Sequence, residues 1–490
     1  MERSKLPTFI LTADDSLMLN PTNGLYSSYV SCFPTNILTK PEFKKYFQLI
    51  ECYPDGEVKV APLSLRVLEA ILNRSGFRRG EYITTPRRNL KKLVGEETKV
   101  IAVSTIDPEG LGPLTRTLQL FYRGEEPYTK KAFKQLMAEI RALKEKYNHV
   151  RVIVGGPGAW QLSSEKLLDR YGIDYLVMGE AEEVVPKLFR SIAEGEDCCF
   201  PRIIRGTPAD VDIIPPILNA TIGGLVEASR GCGRGCSWCF SSSFGGMRCI
   251  PIETIKRSIE ANVMNGVTSI ALQSDDILLY GSKSKKFIPD SDAVISLFKD
   301  LYSVNGVGSI LPLHFSIASI VSNPELLHKI TALIRERATN PNGEKFVVQV
   351  GIETGSPRIL EKYMRGKALP FSPKEWPEIV REALTILEQE GWLCYGTMII
   401  GFPDENEEDI IQTIELIKSL RGFRMVIIPL AFTPLNLEEA MDMRFLRERI
   451  LWEYLPLLYE IKRHNEKISS LFGEKAISWI PNTNGADLNP

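Results

Sequence analysis

Ser229-Arg-Gly-Cys232-Gly-Arg-Gly-Cys236-Ser-Trp-Cys239-Phe240 places three cysteines within eight residues, directly after the strand-like run Gly224–Ala228. Glycine adopts positive φ readily, so Gly233 and Gly235 let the chain wrap and turn the three thiols onto one face. Soft thiolates select zinc, copper(I) or iron–sulfur clusters. A structural zinc site wants a fourth protein ligand, normally from a second cysteine or histidine pair. His149, His314, His328 and His464 are scattered singly, and Cys249 lies ten residues beyond Cys239 in another segment. A zinc knuckle closed by Cys249 or a distant histidine is the alternative these residues leave. Three cysteines on a four-iron cluster leave one iron without a protein ligand, and an open coordination position is what a catalytic metal site requires.

Outward from this loop, strand and helix signals alternate. Ser269–Leu272, His314–Ile317, Val347–Ile352, Tyr395–Ile400 and Met425–Ile428 read as buried strands, so Gly224 to about Pro434 is expected to form a barrel-like α/β unit. Beyond it, Leu437–Phe472 carries Phe445, Ile450, Trp452, Leu455, Leu458 and Tyr459 at mixed helical spacing and reads as a helical extension. The last residues, Ile480–Pro490, are polar. Upstream, Ile213-Ile214-Pro215-Pro216 is the best candidate boundary.

From about Ala61 to Ile214 a second alternation points to a doubly wound parallel sheet. Its signals are a helix over Pro62–Asn73, a helix over Lys130–Tyr147, and strands at Val100–Ser104, Val150–Val154 and Tyr175–Met178. Three loops follow those strands and are expected at one carboxyl edge: Ser104-Thr105-Ile106-Asp107, Gly155-Gly156-Pro157-Gly158, and Gly179-Glu180-Ala181-Glu182-Glu183. The glycines leave little side chain to keep a ligand from the backbone. No GxGxxG and no Walker lysine is present, which speaks against phosphate cofactors. Thr8–Pro54, with Tyr26, Tyr29, Cys32 and Cys52, fits neither domain and reads as a packed cover. The expected division is therefore 1–60, 61–215, 220–435 and 436–490.

Composition sets the outer bounds. At roughly 150 residues per domain, 490 residues suggest about three folding units, and 44% apolar with 24% charged residues is the balance of a globular chain. Lys and Arg total 59 against 61 Asp and Glu, a net charge of −2, so no basic excess exists to bind nucleic acid or an anionic membrane. The longest uncharged apolar runs, such as Cys394–Phe402 and Met425–Leu435, fall short of the ~20 residues that span a bilayer. Met1–Leu11 lacks the long hydrophobic stretch of a secretory signal, so a cytoplasmic location with reduced thiols is expected.

The CxxxCxxC spacing with an aromatic residue, Trp238, before the last cysteine closely resembles the radical S-adenosylmethionine (SAM) superfamily. That resemblance implies a partial (β/α)6 barrel of TIM type whose first strand leads into the loop. It makes Cys232, Cys236 and Cys239 the ligands of a 4Fe-4S cluster and gives Trp238 a place beside SAM. Gln273-Ser274-Asp275-Asp276 ends the second barrel strand, where the family holds the amino end of SAM. The usual Gly-Gly-Glu is replaced here by an acidic variant, with Asp275 and Asp276 suited to an ammonium group. Ser316 lies where the family contacts the ribose or carboxylate. Gly351-Ile352-Glu353-Thr354-Gly355-Ser356 matches the GIE(S/T)GS stretch of the subgroup with an N-terminal cobalamin domain. Gly396 to Pro403 matches the GxxxxGxP strand that walls the adenine, with Ile400 and Gly401 at its end.

In front of such a barrel, the sheet resembles the Rossmann-like cobalamin-binding domain of the cobalamin-dependent radical SAM enzymes, over roughly residues 60–430 in all. Ser104, Thr105, Gly155, Gly156, Pro157, Gly158, Gly179 and Glu180 are the implied cobalamin contacts. The Asp-x-His-x-x-Gly motif that supplies a histidine to cobalt is missing, so no lower imidazole is expected. The resemblance implies a methyltransferase that uses SAM both as methyl source for cobalamin and as source of a hydrogen-abstracting radical. Its cofactors would be a 4Fe-4S cluster, SAM and methylcobalamin, and it would need an electron donor.

Among such enzymes the chain looks most like the archaeal methyltransferases that act on the α-carbon of a glutamine in methyl-coenzyme M reductase. This implies a protein substrate, the α subunit of that reductase. Three other readings stay open: a cobalamin-dependent radical SAM enzyme acting on a small molecule or lipid, a methylthiotransferase, and a non-catalytic corrinoid or electron carrier. The methylthiotransferase needs three further cysteines for a second cluster, and Cys32, Cys52, Cys198 and Cys199 are not arranged for it.

Overall fold

The computed structural model describes residues 6–20, 30–38, 48–122, 126–196, 199–338, 346–442 and 452–472. Tyr26, Tyr29, Cys198, Phe445, Ile450 and the segment Ile480–Pro490, all singled out above, lie outside these residues. The chain divides into two compact units. One comprises Met1–Thr115, Gly124–Val226 and Glu253–Ile270, and the other Arg116–Arg123, Glu227–Ile252 and Ala271–Pro490.

The first unit is built on a parallel sheet of six strands: β1 (Phe9–Ala13), β2 (Tyr82–Thr84), β3 (Val100–Ser104), β4 (Arg151–Gly155), β5 (Tyr175–Met178) and β6 (Ile203–Arg205), in the order β2-β1-β3-β4-β5-β6. The strands expected at 100–104, 150–154 and 175–178 are present to within a residue. The reading of Thr8–Pro54 as belonging to neither domain is corrected at its start. Phe9–Ala13 is an inner strand of this sheet, in register with Val100–Ser104 from Phe9↔Val100 to Ala13↔Ser104. All five of its residues are buried. A strand buried on both faces reads as a short continuous apolar run, which periodicity cannot assign, and no helix signal follows it before residue 62.

Helices pack on this sheet where their apolar stripes meet it. Leu65, Ile71 and Leu72 of the helix Leu63–Arg74 share one core with Leu188, Phe189 and Ile192 of the helix Val185–Glu194. Phe9 sits edge-on to Phe77 and Phe189, with ring centroids 5.0 and 5.2 Å away. Arg66 and Glu69, each 1% exposed, form a buried ion pair at 2.6 Å. A buried charge is tolerated only when its remaining hydrogen-bond capacity is met. Arg66 also donates to the carbonyls of Val58, Lys59 and Ala220, and Glu69 accepts from Thr84 and Asn219. The pair thus holds the segment after Pro215–Pro216 to the sheet unit. Thr221 N–H donates to Asn262 Oδ1 at 2.9 Å in the helix Ile252–Met264. The first unit therefore continues past the prolines to Val226.

Besides two short antiparallel pairs, Leu19–Asn20 with Gln48–Leu49 and Ser229–Arg230 with Arg248–Cys249, the further strands are β7 (Leu225–Glu227), β8 (Ser269–Gln273), β9 (Ser309–Pro312), β10 (His314–Phe315), β11 (Val347–Glu353), β12 (Leu393–Ile400) and β13 (Met425–Ala431). They form sheets ordered β9-β8-β7 and β10-β11-β12-β13, the second parallel throughout. Leu313 joins the two, its N–H donating to the Leu272 carbonyl at 3.1 Å and its carbonyl accepting from Gln349 N–H at 2.9 Å. The strand expected over His314–Ile317 is corrected. It ends at Phe315, and Ser316 is the residue preceding the helix Ile317–Ser322.

The outer edge of β13 is closed by side chains. His464, on the helix Leu455–Phe472, donates through Nε2 to the Met425 carbonyl at 3.0 Å. Burial holds that imidazole below the usual histidine range, in its neutral form. Asn465 accepts from Ile427 N–H at 2.9 Å and donates to the Ile427 carbonyl at 2.8 Å. Pro429 has no N–H to satisfy, and Ala431 N–H donates to Thr117 Oγ1 at 2.8 Å. Among the described residues no helix is long and apolar enough to cross a membrane.

Candidate active site

The cysteine loop owes its path to glycine. Gly231, Gly233 and Gly235 have φ of +72°, +74° and +70°, so alternate residues reverse the chain as the sequence suggested for the last two. The three thiols fall within electrostatic reach of one another. Burial pushes the Cys236 thiol up to about 12, against the pull of the Lys367 ammonium, and raises Cys232 as well. Cys249 does not complete the set. Its sulfur accepts the Gly281 N–H at 3.2 Å, in the loop after β8. Among the described residues no three His, Cys, Asp or Glu side chains gather closely enough to hold one ion. A lone zinc needs sulfurs about 2.3 Å from a common centre, so the closed knuckle finds no support. Three soft donors on one loop, with Trp238 Nε1 and Ser242 Oγ buried nearby without hydrogen-bond partners, fit a thiolate-held cluster that brings further hydrogen-bonding groups with it.

The loop is strapped to the segment Tyr363–Leu369. The Arg234 guanidinium donates to the carbonyls of Gly366, Lys367 and Leu369 at 3.0, 3.3 and 3.1 Å. In return the Arg234 carbonyl accepts Gly366 N–H at 3.1 Å, and Ser237 N–H donates to the Tyr363 carbonyl at 2.9 Å. Cys236 is flanked by both tie points. The Arg234 ring-like fork also lies over Phe287, 4.7 Å from its centroid. Sequence reading passed over Arg234, although a charged residue between two glycines inside a cysteine loop was a signal.

Arg234 changes the expected role of Asp276. The carboxylate of Asp276, 1% exposed, takes Arg234 at 3.3 Å and the Ser319 hydroxyl at 2.6 Å through Oδ2, while Oδ1 accepts Ser316 N–H at 3.3 Å. It is a buried structural hub with its charge already matched, so it is not free to receive an ammonium group. Asp275 remains available in that respect. It accepts from Ser241 at 3.3 Å, and burial raises its carboxyl above the ordinary range against the pull of His314. Burial holds His314 below its ordinary value, and its Nδ1 has no hydrogen-bond partner.

Glu353 ends β11 with φ of +66°, where the register against β12 shifts between Gly351 and Glu353. Lys367 pairs with it at 2.9 Å, and Thr397 donates to both of its oxygens at 3.3 and 3.2 Å. A Cβ on Gly351 would lie 2.2 Å from Glu353 Oε1 and 2.5 Å from Lys367 Nζ, so a side chain there would push the ends of this pair aside. Ile400 is buried at the end of β12, and Gly401 turns the chain at φ +86°. The barrel-side candidates Asp275, Asp276, Ser316, Glu353, Ile400 and Gly401 all lie at or just beyond the carboxyl ends of their strands, Ser316 through the helix it precedes.

In the first unit, Ser104, Thr105, Gly155, Gly156, Pro157, Gly158, Gly179 and Glu180 share the carboxyl edge of the adjacent strands β3, β4 and β5. The glycines have a different reason from the one expected. A Cβ on Gly156 would stand 2.8 Å from both Ser104 Oγ and the Thr105 carbonyl, and one on Gly158 2.5 Å from the Ile106 carbonyl. One on Gly179 would lie 2.3 Å from the Gly206 carbonyl. They let neighbouring loops pack on one another. Asp107 fixes the first of these loops, accepting from Gly112 N–H, Thr115 and Gln161 at 2.8, 2.6 and 2.8 Å. Ser104 meets Ser64 at 2.7 Å, and Glu180 accepts from Ala209 N–H at 2.9 Å. Thr105 Oγ1 alone of this set is buried without a hydrogen-bond partner, as a site prepared for a polar ligand group would leave it.

Residues 226–417 match the family model of the radical SAM superfamily. A tRNA-2-methylthio-N(6)-dimethylallyladenosine synthase from Fusobacterium nucleatum subsp. nucleatum is 26% identical over 58% of this chain, which spans only 60% of that relative's length. Over 88% of the chain, the backbone matches the radical SAM methyltransferase TsrM from Kitasatospora setae, solved with cobalamin and a 4Fe-4S cluster bound, at a TM-score of 0.57 and 13% identity, covering 74% of that protein. The cobalamin-dependent radical SAM enzyme OxsB, solved with aqua-cobalamin and SAM, matches over 94% of the chain and 56% of its own at a TM-score of 0.55 and 13% identity. At such identities the two structures speak for the fold alone. The stretch matched by the radical SAM family model carries the strapped cysteine loop and the ends of β8, β11 and β12.

Proposed function

We propose that this protein is a cobalamin-dependent radical SAM C-methyltransferase acting on an unactivated sp3 carbon, and that its substrate is a glutamine α-carbon in the α subunit of methyl-coenzyme M reductase. The observation that carries the reading is the pairing, in one chain, of a three-thiol loop with no fourth ligand beside it among the described residues and a parallel sheet whose carboxyl edge buries the Thr105 hydroxyl without a hydrogen-bond partner. A likeness in fold to TsrM and OxsB across both units supports it.

Cys232, Cys236 and Cys239 would hold the cluster, and Ser104, Thr105 and the loops after β4 and β5 would hold the cobalamin. When bound, these cofactors supply the electron that splits SAM and the methyl group that is transferred; the protein positions and shields. Arg234 fixes the loop so that the three sulfurs keep one arrangement. Asp275, half-buried and accepting from Ser241, would offer a carboxyl group toward the amino end of SAM. The buried ends of β12 and β13 exclude water from the space they border.

The methylthiotransferase reading rests on the curated relatives. It needs a second trio of cysteines. Among the described residues, Cys52 instead takes the Arg88 guanidinium at 3.1 Å. Incubation of the reconstituted chain with SAM, a low-potential reductant and a peptide from the reductase, followed by mass spectrometry, tests the proposal. Gain of one methyl group on the glutamine is expected. Formation of 5′-deoxyadenosine without a methylated peptide would shift the substrate to a small molecule or lipid.

A further inference from the structure

Between β8 and the helix Ser291–Leu301 the chain runs Ser282-Lys283-Ser284-Lys285-Lys286-Phe287-Ile288, a stretch with no part in the reading above. Lys283, Lys285 and Lys286 are exposed, and among the described residues none of their ammonium groups has a partner. Ile288, 42% exposed, follows them. The chain as a whole carries a net charge of −2, so this basic run is a local feature. Its backbone is fixed from within: the Ser282 hydroxyl donates to the Ile288 carbonyl at 2.6 Å, Ser284 N–H to Ser282 Oγ at 3.2 Å, and Lys286 N–H to Ser284 Oγ at 3.2 Å. Phe287 has φ of +58°, a left-handed conformation that a bulky side chain seldom adopts. In that conformation its ring packs on the cysteine loop. The ring centroid lies 4.7 Å from Arg234 Cζ, and a Cβ on Gly233 would stand 3.5 Å from Phe287 Cε1. Gly233 and Arg234 both lie between Cys232 and Cys236. The start of the loop is tied to the segment after the cysteines, Gly281 N–H donating to Cys249 Sγ at 3.2 Å and the Tyr280 hydroxyl to the Ile250 carbonyl at 2.7 Å.

Resting on the proposed function, which needs an electron donor, we propose that this loop is the docking surface for a small acidic one-electron carrier protein. Three unmatched cations on a preset backbone draw in an acidic partner and orient it at little ordering cost. Ile288 beside them supplies an apolar contact for the centre of the interface. The packing of Phe287 on Gly233 and Arg234 decides which acidic partner fits. Electron transfer weakens steeply with distance, so a carrier belongs where the exposed surface touches the cysteine loop. On docking, one electron leaves the reduced carrier and passes to the cluster, and no bond is made or broken. A nucleic acid would also meet lysines, yet three of them on a chain without basic excess neutralise few phosphates.

The test follows reduction of the reconstituted full-length chain by stopped-flow absorbance, with a reduced acidic two-cluster ferredoxin as the probe and dithionite as the comparison. With ferredoxin, the wild-type second-order rate constant is expected to fall about tenfold from low to high salt. At low salt Lys283→Glu/Lys285→Glu/Lys286→Glu should lower it about tenfold as well. The dithionite rate of that variant should stay within about threefold of wild type, because so small a reductant needs no docking surface. Lys91→Glu/Lys92→Glu/Lys166→Glu makes an equal change in charge on exposed lysines of the first unit and should leave the ferredoxin rate within about threefold. A ferredoxin rate that ignores salt, that the loop variant keeps, or that the control variant loses as fully, overturns the inference. Loss of tRNA binding in a loop variant that ferredoxin still reduces normally would assign the lysines to nucleic acid instead, and overturns it too. Should the loop variant fail to fold, Lys285→Gln/Lys286→Gln decides: a loss of about threefold with ferredoxin alone supports the inference and no loss overturns it. A wild-type chain that binds no four-iron cluster overturns the functional reading and the inference with it, whereas a loaded cluster that ferredoxin does not reduce overturns the inference alone.

Discussion

Arg234 and Gly366 are joined twice: the arginine carbonyl accepts the glycine N–H at 3.1 Å, and the arginine guanidinium donates to the glycine carbonyl at 3.0 Å. Backbone and side chain of one residue thus grip both polar groups of another, and Cys236 sits beside the grip. Arg234→Lys keeps the positive charge but loses the planar fork that reaches Gly366, Lys367, Leu369 and Asp276 together. It is expected to cost about 1–3 kcal/mol in unfolding free energy and to reduce the iron bound per chain. Denaturant unfolding and iron analysis would check this, and a variant equal to wild type in both would refute the strap.

Cys236→Ala should abolish iron binding after anaerobic reconstitution, whereas Cys249→Ala should keep it in full, because the Cys249 sulfur is engaged by Gly281 N–H. Iron and sulfide analysis of the two variants separates a three-cysteine centre from a four-cysteine one. Equal loss in both would reinstate the knuckle.

Thr105→Val removes a buried hydroxyl that has no partner within the protein, while keeping its shape. Stability is expected to hold or to rise by a few tenths of a kcal/mol, since an unsatisfied polar group is lost. Cobalamin affinity should fall about tenfold, the worth of one good hydrogen bond. Equilibrium titration with hydroxocobalamin, beside a melting curve, gives both readouts. Unchanged affinity would remove this hydroxyl from the cobalamin site.

Asp14, at the end of β1, is buried, and desolvation raises its carboxyl to about 6 despite hydrogen bonds from Ser16. The folded chain therefore binds this proton more tightly than the unfolded chain. The stability linked to it is fully present below about pH 4 and is lost as pH rises through about 6, a cost of about 3 kcal/mol at neutral pH. Asp14→Asn should melt higher than wild type at pH 7, with the gap closing towards pH 4. Melting curves across that range check the sign, and a gap that does not change with pH would disprove the assignment.

Long elements with strong periodicity were readable from residues alone: the helix near 128–146 and the strands at 100–104 and 175–178 lie where apolar spacing put them, and the strand expected at 425–428 forms and runs on to Ala431. Phe9–Ala13 was not, because its partner strand comes some seventy residues later and a five-residue apolar run carries no period. The break at Phe315 was hidden for another reason: Ser316 reads equally well in a strand or before a helix until Asp276 is seen to accept its N–H. In the site, the cysteines and the carboxyl-end loops were legible because glycine and thiol chemistry are local. Arg234 and the hub at Asp276 were not, since each is defined by partners 40 to 135 residues away.

Strand Met425–Ala431 ends its sheet, and on its outward side the Met425 carbonyl, both polar groups of Ile427 and the Ala431 N–H are met by His464, Asn465 and Thr117, while Pro429 has no N–H to offer. An uncovered terminal strand is a template on which another molecule can nucleate an intermolecular ladder. Cleavage ahead of Leu455 would strip away two of the three caps and uncover the Met425–Ile427 half of that template. The closing helix is in this sense a guard against polymerisation, and its loss should turn a dispersed protein into one that precipitates through its own last strand.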